Sequence, residues 1–208
     1  DDIIVINKPF DMPAHPSAGN HDNTLANALM YYYGSQNKPF VYRCINRLDR
    51  DTTGLTIVAK HALAGGILGN AVAKRAIHRT YYAVCSGCTP ACMRISAPIA
   101  RKDASTIERC VDFKRGENAV TDFIRIKYNP DNNLSLVKLR LLTGRTHQIR
   151  VHMKYIGFPL IGDFLYNPDY TYISRQALHS GRLVFTHPVT GQKMNLISDI
   201  PSDMKSLF

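Results

Sequence analysis

A mixed α+β fold is what this sequence predicts. Short β-branched and aromatic runs recur at hairpin spacing, and only three segments carry helical periodicity. Nothing repeats at the roughly 20–50-residue interval of a solenoid or propeller. At 208 residues the chain is long enough to bury a sizeable core, and it reads as one domain over 1–208.

Residues 3–6 form a β-branched strand that breaks at Lys8-Pro9, and Pro13, Pro16, Gly19 and the polar run to Asn23 make a loop. Thr24 caps a helix whose Leu25, Leu29 and Tyr32 fall on one face. After Gly34 a turn leads through Val41 into a segment dense in arginine and aspartate, and 55–59 is a strand. Residues 61–77 read as a helix weakened by Gly65, Gly66 and Gly69. Strand 80–85 follows, and 90–120 mixes charges with short apolar pieces, as hairpins do. The runs 121–128 and 134–142 flank an Asn129-Pro130-Asp131-Asn132 turn. In the second run Val137, Leu139 and Leu141 alternate inward against Lys138 and Arg140. A helix over 147–156, capped by Thr146 and closed by Gly157, precedes strands near 183–185 and 193–197.

Composition narrows the partners. With 26 basic against 16 acidic residues the formal charge is +10 and the pI about 9.5, which fits either a polyanionic partner, most simply nucleic acid, or a solubilising surface. No window approaches the roughly 18 apolar residues of a membrane helix. The chain opens at Asp1 with neither Met nor a charged leader and apolar core, so no signal peptide is expected. An odd number of cysteines, five, favours a reducing cytoplasm. Cys85, Cys88 and Cys92 stand at spacings that suit zinc but lack an evident fourth ligand, so they are expected as plain thiols at a strand end and its loop.

Four clusters carry chemistry. In Asn46-Arg47-Leu48-Asp49-Arg50-Asp51-Thr52-Thr53-Gly54-Leu55, two arginines and two aspartates share five residues ahead of a strand. Fixed guanidinium groups keep a neighbouring Asp ionised and nucleophilic, or they face phosphates. The same segment also suits a structural salt-bridge loop. In Arg79-Thr80-Tyr81-Tyr82-Ala83-Val84, strand alternation sends one tyrosine to the core and the other to a surface or cleft, where a ring can stack on a base. In 142–152, a strand turns through Gly144 into a helix start carrying Arg145, an arrangement that binds anions. On that helix Ile149, His152, Met153 and Ile156 make a core stripe, and Arg150 lies at its edge within reach of a cleft. The fourth cluster, Asn7-Lys8-Pro9, is a strand ending in a cation.

In this order the clusters resemble the RluA-type pseudouridine synthases over nearly the whole chain. Asn7-Lys8-Pro9 is similar to the family's opening strand, 47–55 to its catalytic loop and 79–83 to the strand with its active-site tyrosine. Residues 116–121 are similar to a middle element, while 143–152 with Gly157, Pro159, Gly162-Asp163 and Tyr166 resemble the third motif and its extension. Residues 176–179 and 187–191 resemble the final strands. The resemblance implies a pseudouridine synthase catalytic fold, a mixed, largely antiparallel sheet with flanking helices and a basic central cleft. It places the nucleophile on Asp49, the tyrosine on Tyr81 and the basic residue that pairs with Asp49 on Arg150. Arg47, Arg50, Arg145, His147 and Lys8 are then the candidate RNA contacts, and Asp51 is left to shape the Thr52-Thr53-Gly54 turn. The implied activity is isomerisation of uridine to pseudouridine in ribosomal or transfer RNA, without metal or organic cofactor; these residues carry no match to an S4 domain, the cysteines set the cytoplasmic expectation, and a monomer is the default. A non-catalytic RNA-binding or RNA-folding module on the same fold is the alternative.

The chain departs from the family in two places, Asn46 where His is usual and Phe10-Asp11-Met12 where a glycine-containing turn is usual. Asn retains a donor and an acceptor but does not titrate near neutrality, so altered loop positioning with activity retained is the expectation.

Overall fold

In the computed structural model, which describes residues 2–17 and 19–208, the chain divides into two units. The first, Asp1–His78 with Ser180–Ser198, contains β1 (Ile3–Lys8), α1 (Leu25–Gly34), β2 (Thr53–Ala59) and α2 (Ala62–Ala73). The second, Arg79–His179 with Asp199–Phe208, contains β3 (His78–Ser86), β4 (Cys92–Ser96), β5 (Ile99–Arg101), β6 (Arg109–Val111), β7 (Val120–Asn129), β8 (Leu134–Leu141), α3 (Gln148–Tyr155) and α4 (Ser202–Lys205). Strand β9 (Leu178–Thr186) begins in the second unit and runs, from Ser180 on, in the first, where β10 (Lys193–Ile197) pairs with it.

In the first unit β1, β2, β9 and β10 lie side by side in that order, with β1–β2 and β9–β10 antiparallel. Every residue of β2 is buried, the two threonines included, because both faces are covered. Leu55, Ile57 and Ala59 meet Ala64 and Leu68 of α2 together with Leu183 and Phe185 of β9. Val58, on the opposite face, meets Leu25 and Leu29 of α1. Thr24 caps α1 as its sequence predicts, its hydroxyl accepting from Asn27 N at 3.2 Å. The buried tyrosine of α1 is Tyr33 and not Tyr32, which is 52% exposed. The buried positions are 25, 26, 29 and 33, the i, i+4 spacing of one helix face. Helix α2 starts on His61, whose Nδ1 accepts from Ala64 N, but it stops at Ala73, four residues short of the expected end. Arg75 there takes a positive φ of 57°, which turns the chain out of the helix.

In the second unit β3, β8, β7 and β4 form consecutive antiparallel ladders, and β5–β6 is a separate hairpin. Alternation on β3 sends Tyr82 and Val84 into a cluster with Leu134, Ile161, Ile173, Ala177 and Met204, while Tyr81 lies on the opposite face beside Leu139. Helix α4, which has no sequence signal, seats Met204 in this cluster. The bidentate bond of Arg175 to Asp203, at 2.8 and 2.9 Å, fixes the helix there.

Gly54 in the first unit and Gly116 and Gly162 in the second admit no side chain. A Cβ on Gly54 (φ 107°) would sit 2.3 Å from Ser180 O, and one on Gly162 (φ 66°) would sit 2.1 Å from Arg175 O. Gly54→Ala therefore destabilises the protein by at least about 1–2 kcal/mol, through a forced left-handed Cβ and displacement of β9. A urea-unfolding midpoint equal to wild type would refute this.

Candidate active site

The Asp49 segment is held by neighbours that substitute for regular strand pairing. Asn46 is buried, its amide donating to Leu55 O at 3.2 Å and its Oδ1 accepting from Ile57 N at 2.8 Å. Its side chain thus pairs with β2 much as a backbone would. Thr56 Oγ1 donates to Asn46 O at 2.6 Å. Both side-chain bonds fit a neutral amide, so the exchange of His for Asn keeps this anchor fully paired.

At the segment's far end, the Lys8 ammonium donates to Pro9 O at 2.7 Å, Met12 O at 2.9 Å and Arg50 O at 2.8 Å. Lys8 is 1% exposed. Expected at RNA, it instead has its charge inside the protein, tying the 9–12 turn to the 46–54 segment. That turn works without the family's glycine because Asp11 takes φ 53°, a left-handed conformation that Asp tolerates better than most residues.

Between these anchors Leu48 is buried, Asp49 half-buried, and Arg47 and Arg50 exposed. Asp51, expected only to shape the turn, has an ionic partner. The Arg50 guanidinium donates to it from Nε at 3.1 Å and from Nη2 at 3.1 Å. The pairing follows from adjacency, and on a side chain 46% exposed it contributes little to stability.

In the second unit Tyr81 is only 5% exposed. Helix α3 is enclosed nearly all round, with every residue from Gln148 to Met153 buried. Arg150, expected at the edge of an apolar stripe, is 1% exposed. Its Nε and Nη2 donate to Asp163 Oδ2 and Oδ1, both at 2.7 Å. The rings of Phe164 and Tyr166 lie 5.4 and 5.0 Å from its guanidinium carbon. The expectation that Arg150 has its ionic partner in Asp49 thus meets a second carboxylate, one that periodicity did not flag. The only signal for it was the Gly162-Asp163 pair in the motif extension.

The start of α3 also differs from expectation. Thr146 does not cap it; the cap position is His147, at φ 56° and without a side-chain cap bond. Gln148 organises the turn instead. Its Oε1 accepts from Thr143 Oγ1 at 2.8 Å and Arg145 N at 2.9 Å, and its Nε2 donates to Val120 O and Thr121 Oγ1, both at 3.0 Å. His152 Nε2 must donate to Ala97 O at 2.9 Å, which leaves Nδ1 to accept from the Thr121 hydroxyl at 2.9 Å. Each donor in this chain has one acceptor, so the imidazole is neutral. Burial pushes the His152 pKa down, only partly opposed by the Ala97 bond.

Arg145 stays at the surface, pairing with Glu117 and donating from Nε to Asn118 O at 3.1 Å. His147 shares a 2.9 Å hydrogen bond with the Tyr166 hydroxyl, which also accepts from Arg109 N of β6. Burial pushes the Tyr166 phenol up to about 12, so it stays protonated. Cys85 is buried, Cys88 and Cys92 are exposed, and all five cysteines are free. Among the described residues no three His, Cys, Asp or Glu side chains gather as a metal site, and no helix is long and apolar enough to cross a membrane.

Known proteins match the chain over nearly its whole length. The profile described as RNA pseudouridylate synthase matches residues 2–155. The chain is 39% identical over 206 residues to an RNA pseudouridine synthase of Bacillus subtilis, spanning 99% of this chain and 68% of that protein. It is 38% identical to the ribosomal large subunit pseudouridine synthase D of Zymomonas mobilis, over 99% of this chain and 69% of that one. For the enzyme of the same name in Haemophilus influenzae the identity is 41%, over 100% and 68%. A solved structure, the human RNA pseudouridylate synthase domain containing 1, superposes with a TM-score of 0.78 at 26% identity, covering 95% of this chain and 80% of that one.

Two outcomes follow from the interior of the second unit. Gln148→Met strands buried partners on both sides and lowers stability by about 2–4 kcal/mol; an unchanged unfolding midpoint would contradict the network. His152 has a folded pKa below its free value of 6.5, so its contribution is complete above that pH and is lost as pH falls through the folded pKa. Urea unfolding at pH 7.5 and at pH 5 should therefore show a larger acid loss for wild type than for His152→Asn, and equal losses would refute it.

Proposed function

The chain belongs to the RNA pseudouridine synthase family, of the RluA type, and from that premise we propose that it isomerises uridine in large-subunit ribosomal RNA with Asp49 as the covalent nucleophile. The enzyme class follows from the family; the substrate and the residue roles are our own reading. Ribosomal RNA is favoured over transfer RNA because the relatives at 38–41% identity include several named ribosomal large subunit pseudouridine synthase D.

The reaction breaks the bond from N1 of uracil to the ribose, turns the base and rejoins it through C5. One carboxylate suffices, serving first as a nucleophile and later in proton transfer. This differs from sugar hydrolysis, where two carboxylates divide the work. The observation that carries the assignment is how the Asp49 segment is secured. Asn46 and Lys8 fix its two ends through buried hydrogen bonds, and Gly54 allows β9 to press against its exit. A carboxylate held so, and left half-buried, can meet a substrate without the loop having to order first.

In this reading Tyr81 contacts the uracil ring and Arg150 is the basic residue of the reaction. The exposed Arg47 and Arg145 hold phosphates beside the target, with Arg50 and His147 as further contacts. The uridine leaves its stack to reach the carboxylate. The excess of ten positive charges strengthens encounter with RNA at low salt.

Asp49→Asn, assayed by tritium release from C5-labelled uridine RNA, should lose at least about 10⁴-fold in rate. Near-wild-type release would sink the nucleophile assignment. Arg150→Ala should abolish turnover while leaving RNA affinity largely intact, whereas Arg47→Ala should weaken binding and reduce the salt slope by about one. Pseudouridine mapping of a deletion strain against its parent should lose a site in large-subunit ribosomal RNA; a loss confined to transfer RNA would overturn the substrate assignment.

A further inference from the structure

The carboxylate of Asp163 is 0% exposed, and its two oxygens have separable roles. Oδ2 accepts from Arg150 Nε at 2.7 Å. Oδ1 accepts from Arg150 Nη2 at 2.7 Å and also from Leu165 N at 3.1 Å and Tyr166 N at 3.2 Å. The residue therefore folds the turn that follows it and grips one edge of the guanidinium fork. Tyr166 N and Asn167 N also bond Asp163 O, at 3.2 and 2.8 Å, so the turn is rigid on both sides. Gly162, where a Cβ would strike Arg175 O, sets the height of Asp163.

From this geometry we infer that Asp163 is the positioning residue of the reaction, orienting Arg150 and neutralising its charge, so that Arg150 acts as an aimed hydrogen-bond donor. This rests on the proposed role of Arg150. A guanidinium carries its donors in one rigid plane, so fixing the Nε and Nη2 edge at two oxygens fixes the direction of the remaining N–H groups. Phe164 and Tyr166, carried by the same turn, bring their rings to within 5.4 and 5.0 Å of the guanidinium carbon and restrict its movement. The formal charges of Arg150 and Asp163 cancel. The pair therefore does not by itself supply the net positive charge that would keep another carboxylate ionised; what it offers is direction. An ammonium in place of Arg150 would make a point contact and could not span both oxygens.

The test uses Asp163→Asn. Oδ1 retains its bonds to Leu165 N, Tyr166 N and Arg150 Nη2, while the new amide opposes the Arg150 Nε–H donor to donor. We expect kcat to fall by roughly 10²-fold, the cost of a misplacement near 1 Å, with KM for RNA unchanged. In an Arg150→Lys background the same substitution should add less than about threefold, because both changes act through one contact. Equal losses in kcat and RNA affinity, or full additivity with Arg150→Lys, would overturn the inference. If Arg150→Lys and Arg150→Ala both leave kcat intact, the proposed role of Arg150 fails instead, and the two failures are told apart. Should Asp163→Asn not fold, Asp163→Glu retains the carboxylate but lengthens its reach by one methylene; a folded Asp163→Glu with wild-type kcat overturns the inference. In the unaltered protein the Arg150 Nε–H should be protected from solvent exchange, and rapid exchange would contradict a fixed fork.

Discussion

Burying a guanidinium is tolerable only if its charge is met, and in this protein that requirement is concentrated at Arg150. Losing one partner of such a buried pair typically costs about 3–5 kcal/mol, because the other charge is left without compensation. The pair with Asp163 therefore fixes where helix α3 meets the 162–167 turn, because neither charge can leave the other without being stranded in the interior. The turn in turn depends on Gly162, whose left-handed φ lets the chain pass against the backbone of Arg175. Val151 and Tyr166 share a cluster with Ile99 and Ala119, so the apolar packing of α3 and the polar pairing of Arg150 reinforce each other.

A second constraint is that the interior polar groups of α3 form an ordered chain. Gln148, Thr121 and His152 pass donors to acceptors from the Arg145 turn to Ala97, and none can be inverted without leaving a buried atom unpaired. Such a chain specifies one packing of the helix against β7, where an apolar interface of the same area would allow sliding. The turn bearing Arg145 and His147 is therefore shaped by a glutamine side chain, while the two basic residues themselves stay at or near the surface.

The first unit solves a different problem, keeping a short segment rigid without regular strand pairing. Two side chains replace the missing ladder, for the Asn46 amide pairs with β2 and the Lys8 ammonium gathers three carbonyls. The departures from the family pattern fit the same scheme. Asn46 performs the anchoring with a group that does not titrate, and Asp11 adopts the left-handed turn that glycine usually provides. Neither change falls on Asp49.

The sequence by itself determined most of the longer strands, the three longer helices, the basic character and the motif carrying Asp49, since these depend on local periodicity and on residues adjacent in the chain, whereas β4, β5 and β6 were legible only as unplaced hairpins. Only the tertiary structure decided where the buried charges went and that α3 begins at His147 instead of at a Thr146 cap. Lys8 looked like a surface cation, yet the carbonyls that receive it come from residues 9, 12 and 50, a set that no local pattern reveals. Arg150 looked like the edge of a stripe, yet its partner stands thirteen residues away beyond the end of its helix. Hydrophobic periodicity reports which face of an element is dry; it does not report which distant polar group will meet a charge once that face is closed. That pairing is set by the three-dimensional path of the chain, because a buried charge is stable only where a partner arrives at hydrogen-bond distance.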